Sequence, residues 1–256
     1  MSTTQRASLS PFVCLLAAFL VGCPAGDGTG LDENGRPIDD SDVLPLTATF
    51  TSIQRNVFDV SCAVSGCHSG AAAPEGLDLD ASASFDNLVG RASQEAAGLN
   101  RIEPNDPDNS YLIRKLEGTA AVGGRMPLNQ PPLPRATIDV IRAWISNGAI
   151  GPRLSSLQAN VFTPICTQCH FGTNPAGMLN LEVGQSRAGL VGVQRPFDPE
   201  IRVVAGAADN SFLVDKLEGN NLGGSRGSRM PLGGPFLLPD TIAAVRQWID
   251  DGALDN

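Results

Sequence analysis

SCAVSGCHSG (residues 61–70) and TPICTQCHFG (residues 163–172) are the two places where this chain sets a histidine directly after a cysteine pair. In the second, Cys166, Cys169 and His170 form C-x-x-C-H. In the first, Cys62 and Cys67 stand five positions apart before His68, two residues more. Their surroundings repeat as well. SIQRNVF (52–58) returns as SLQANVF (156–162), NLVG (87–90) as GLVG (189–192), DNSYLIRKLEG (108–118) as DNSFLVDKLEG (209–219), RMPL (125–128) as RMPL (229–232), and IRAWISNGA (141–149) as VRQWIDDGA (245–253). A period of about a hundred residues is far longer than the roughly 20–50 of stacked repeats, so the chain reads as a tandem pair of domains, 46–150 and 151–256. The seam near Ile150-Gly151-Pro152 is short, which predicts that the two sit close together.

Each copy carries three helix signals. The first opens on a capping box, Thr51 with Gln54 and Ser155 with Gln158, ahead of Ile53 and Val57 or Leu157 and Val161 at helical spacing. The second sets Leu112 and Leu116, or Leu213 and Leu217, four apart and stops at Gly118 or Gly219. The third runs Ile138, Ile141, Trp144, Ile145, matched by Ile242, Val245, Trp248, Ile249, and both tryptophans read as core ridges. No alternating strand pattern competes. The expectation is an all-α protein with long Gly- and Pro-rich loops, in keeping with 28 glycines and 19 prolines.

Residues 1–22 have the layout of a secretory signal: Arg6, then the apolar run 11–21, too short to span a bilayer. Leu20-Val21-Gly22-Cys23 resembles the lipobox of bacterial lipoproteins, which makes Cys23 the expected lipidated N-terminus. A plain signal peptide with an incidental Cys23 is the alternative. Residues 23–45 read as a flexible acidic tether, its central nineteen residues (24–42) spanning on the order of 25 Å. These features place the protein outside the cytoplasm, in the periplasm or on the cell surface, held to a membrane by lipid. The net charge of -9 argues against a nucleic-acid partner and suits a partner with a basic patch.

Once Cys14 leaves with the signal and Cys23 takes lipid, Cys62, Cys67, Cys166 and Cys169 remain, and His68 and His170 are the only histidines. C-x-x-C-H lets two sulfurs form thioethers with the vinyl groups of haem while the histidine takes the iron from below. With no third histidine, methionine is the usual opposite ligand. Met126 and Met230 hold the same place in the repeat, each in Arg-Met-Pro-Leu after a glycine-rich loop. Met178 aligns with Leu77 and reads as apolar packing. In the longer motif, Cys62 and Cys67 would lie about 140° apart on an unbroken helix, so Ala63–Gly66 must bulge, with Gly66 at positive φ. A Cys62–Cys67 disulfide over an empty or non-covalent site is the alternative.

CTQCH, the helix before it, the GGSRGSRMPL loop and the terminal VRQWIDDGA helix resemble a cytochrome c domain, and the likeness covers nearly all the chain after the tether. It implies covalent haem c in both copies, His and Met axial ligands, and one-electron transfer between redox proteins. Arg101 and Arg202 precede the second helix in each copy and stand as candidate contacts for haem propionates or as solvated surface. A dihaem peroxidase-like enzyme is the main rival, although a methionine in both copies would close both irons. A haem-bearing structural or sensory lipoprotein is the third reading.

Overall fold

The computed structural model describes residues 45–196 and 198–256. The signal segment, Cys23 and the tether up to residue 44 lie outside them. The described chain is helical, and among its residues β-structure is confined to isolated bridges such as Val89–Ile102 and Val191–Val203.

Both repeats follow one plan. A first helix starts at Phe50–Ile53, passes through a π-helical turn at Gln54–Phe58 and ends at Asp59–Ser61. Its counterpart runs Leu154–Leu157, Gln158–Phe162, Thr163–Ile165. A short helix follows, Ser84–Leu88 or Ser186–Leu190. Then come a middle helix, Tyr111–Glu117 or Phe212–Glu218, and a last helix, Arg135–Ser146 or Pro239–Asp250. The middle helices stop where expected: Gly118 and Gly219 take φ of 76° and 85°, a left-handed geometry that costs glycine little.

Each repeat has its own core. Ile141, Trp144 and Ile145 pack with Ile53, Phe58 and Leu116; Val245, Trp248 and Ile249 pack with Leu157, Phe162 and Leu217. Both tryptophans are core ridges, and their buried N–H groups are satisfied, Trp144 Nε1 donating to the Ile150 carbonyl at 3.0 Å and Trp248 Nε1 to Leu254 at 2.9 Å. Paired charges tie the last helix to the middle one in each copy. Arg142 bridges Asp108 and Glu117, and Arg246 bridges Asp209 and Glu218.

The helix starts differ from expectation. Thr49, not Thr51, caps the first helix, its hydroxyl accepting from the Ser52 amide at 3.2 Å. In the second repeat Asn256 satisfies the amides, Leu154 N–H donating to its side-chain oxygen at 2.9 Å and Ser155 N–H to its backbone oxygen at 2.8 Å. Gln54 and Gln158, expected to close capping boxes, are buried in the interior instead. There each is fully hydrogen-bonded to groups more than a turn away, which outweighs a local bond to a helix-start amide.

Residues Leu46–Asn256 form one compact unit. The first core ends at Ala149 and the second begins at Ile150, so no linker intervenes. Arg153 closes the seam, pairing with Asp86 at 2.9 Å and stacking over the Phe85 ring. The start of the first helix also lies against the last helix of the second repeat.

Candidate functional site

The two cysteine–histidine segments differ in length and share their key bond. In the shorter one Cys166–Gln168 form a single 3-10 turn, and His170 N–H donates to the Cys166 carbonyl at 3.0 Å. In the longer one the helix ends at Cys62, a turn closes from Val64 to the Cys67 amide at 2.9 Å, and Gly66 takes φ of 80°. His68 N–H still reaches the Cys62 carbonyl, at 3.1 Å. The two extra residues are thus absorbed in the expected bulge.

The four cysteines of these two segments are free thiols; Cys67 and Cys169 are exposed, Cys62 and Cys166 half-buried. Burial pushes the Cys62 and Cys166 thiols up to about 11, so both are protonated at neutral pH.

Each imidazole is oriented by a backbone carbonyl. His68 Nδ1 lies 3.1 Å from the Leu77 oxygen and His170 Nδ1 2.9 Å from the Ala176 oxygen. A carbonyl can only accept, so Nδ1 carries a proton, and in the neutral ring Nε2 then keeps its lone pair. That is how proteins usually prepare a histidine to hold a metal. Burial also holds His68 below its ordinary pKa, which keeps the ring neutral near pH 7.

The loop that supplies these carbonyls corrects the sequence alignment. Its positive-φ pair is Glu75-Gly76 in the first repeat and Gly177-Met178 in the second. Met178 therefore takes the place of Gly76, and Leu179 that of Leu77, each leucine lying against its own core. Met178 was expected to pack; it sits on the outside of a tight turn and is 67% exposed.

Met126 and Met230 are brought in by the middle helices. Met126 N–H donates to the Lys115 carbonyl at 2.9 Å and Met230 N–H to Lys216 at 2.7 Å, satisfying oxygens that the helix ends leave unpaired. In the first repeat Cys62, Cys67, His68, Arg101 and Met126 line one cavity of about 270 Å³. That is near the lower edge of ordinary ligand pockets, about 300–1,000 Å³.

Arg101 and Arg202 are buried, not solvated. Their guanidiniums donate to backbone carbonyls, Arg101 to Asn87 at 2.8 Å and Arg202 to Gly189 at 2.8 Å among them. The cavity also gathers Glu95, Tyr111 and Lys115, which the sequence did not single out. Lys115 pairs with Glu95 at 2.8 Å, and the Tyr111 hydroxyl donates to the Val122 carbonyl at 2.8 Å. Repetition was the available signal for Gln54 and Lys115, since both recur as Gln158 and Lys216.

Comparison with family models, with curated proteins and with solved structures finds no match for the chain. The reading of the site rests on its own geometry.

Proposed function

We propose that the chain is a dihaem c-type cytochrome, two tandem cytochrome c domains that carry electrons singly between redox proteins. The observation that carries this reading is the first cavity, which gathers two thiols, a histidine with Nε2 free and a methionine thioether. This donor set fits haem c. Cys62, Cys67, Cys166 and Cys169 would hold it by thioethers, with His68 and Met126, and His170 and Met230, as the side chains that would bind its iron. When bound, haem c supplies one-electron exchange at its iron. The protein contributes orientation of each imidazole through Nδ1, exclusion of water by the leucines around the cavity, and a methionine loop fixed to the middle helix. The partner's docking face would be basic, complementing the net charge of -9.

Proteolysis and mass spectrometry of protein made in a haem-attaching host test the reading. Peptides containing residues 62–68 and 166–170 should each carry one haem. A first peptide found only as a disulfide would leave a single-haem protein, and two unmodified peptides would end the proposal.

We place the protein in an exported lipoprotein class on the apolar run 11–21 and Cys23. Among the described residues no helix is long and apolar enough to cross a membrane. Cys23→Ala should move the protein from the membrane fraction to the soluble one; an unchanged distribution would remove the lipid anchor.

A further inference from the structure

Four buried polar side chains, two in each repeat, converge on the loop that orients the histidine. Gln54 and Arg101 are 5% and 6% exposed, Gln158 and Arg202 8% and 7%. We infer that Gln54 with Arg101, and Gln158 with Arg202, are positioning residues that clamp the loop opposite each imidazole and thereby fix the ring's tautomer and direction. The consequence for an iron rests on the function proposed above; the clamp itself is a property of the protein.

In the first repeat Arg101 donates to the Glu75 and Gly76 carbonyls at 2.5 and 3.4 Å, and Gln54 Nε2 to the Leu79 carbonyl at 2.8 Å. The Leu77 carbonyl, which takes the His68 proton, lies between these two grips. Leu79 N–H then returns to the His68 carbonyl at 2.8 Å. In the second repeat Arg202 holds Gly177 and Met178, Gln158 holds Leu181, and Leu181 N–H returns to His170 at 2.8 Å. The His170 acceptor, Ala176, is the residue next to the gripped Gly177.

Both clamps are anchored in the same short helix. Ser84 Oγ donates to Gln54 Oε1 at 2.5 Å, and Arg101 reaches Asn87; Ser186 Oγ donates to Gln158 Oε1 at 2.6 Å, and Arg202 reaches Gly189. The loops differ in sequence and the cysteine segments differ by two residues, yet the grips and anchors match position for position; only the histidine's acceptor shifts, from Leu77 inside the two grips to Ala176, the counterpart of Pro74, just before them. A buried guanidinium is costly unless every donor is used, and its rigid fork fixes carbonyls in a way a lysine cannot. The π turn places each glutamine where it reaches the loop, a known use of such turns at functional sites.

The test uses the full-length chain, first without haem. In 15N NMR, His68 and His170 should both show the Nδ1–H tautomer. Arg101→Lys and Gln54→Met should shift His68 toward Nε2–H and leave His170 unchanged, while Arg202→Lys and Gln158→Met do the reverse. Should these variants fail to fold, Ser84→Ala and Ser186→Ala loosen only the anchor and should give smaller shifts of the same pattern. In the haem-bearing protein the hyperfine-shifted ring signals of the affected histidine alone should move. Folded variants that keep wild-type histidine signals would overturn the clamp, leaving these residues as loop supports only. Wild-type chain that shows the tautomers but takes up no haem would instead overturn the function proposed above and leave the clamp standing.

Discussion

Replacing Trp248 with alanine should lower the stability of the folded chain by about 3–5 kcal/mol, the range for deleting a buried aromatic. Trp248 is fully buried, packs edge-on to Phe162 with ring centroids 6.5 Å apart, and its N–H holds the Leu254 carbonyl. Truncation therefore opens a cavity at the centre of the second core and removes the donor that the Leu254 carbonyl holds. Against a total stability of about 5–15 kcal/mol, that is a large fraction. Chemical denaturation followed by circular dichroism is the check. Trp144→Ala should do the same to the first core, where Trp144 packs on Phe50 and holds Ile150. A loss below about 1 kcal/mol in both variants would mean that the tryptophans are not central to the packing.

Met126→Ala and Met230→Ala should each open one iron to carbon monoxide in the reduced protein, on the reading proposed here. Alanine offers no ligand, and the chain has no third histidine to replace the lost thioether. Each variant should bind about one equivalent where the parent binds none, with the potential of that haem falling, because thioether ligation favours the reduced iron. Met178→Ala is the control. Its side chain is exposed on a turn in the position of Gly76, and the variant should match the parent. Unchanged carbon monoxide spectra in both ligand variants would remove the methionine assignment.

What could be seen in the sequence was whatever is periodic or duplicated. The last helices show their buried faces directly, since Ile141, Trp144 and Ile145 recur as Val245, Trp248 and Ile249 at helical spacing. Gly118, Gly219 and Gly66 announced their positive φ because no other residue adopts it so cheaply. The short helices at Ser84–Leu88 and Ser186–Leu190 span too few residues for periodicity to register. Gln54 and Gln158 misled because S/T-x-x-Q is also the pattern of a capping box, and only the loop folded back over the helix supplies their real partners. Arg101 and Arg202 pointed to a surface or an anion for a similar reason. Nothing local to an arginine says that its partners are carbonyls some 25 residues earlier.

The bond from the histidine amide to the first cysteine carbonyl, 3.1 Å in one repeat and 3.0 Å in the other, behaves as a chord beneath an arc of variable length. The two residues that lengthen the arc in the first repeat are carried outward by the Val64–Cys67 turn, and the chord keeps its length. Closure of the chord is thus a property the two segments share, while the number of residues between the cysteines is not. Scored by that closure the two segments of this chain are alike, whereas a count of letters separates them.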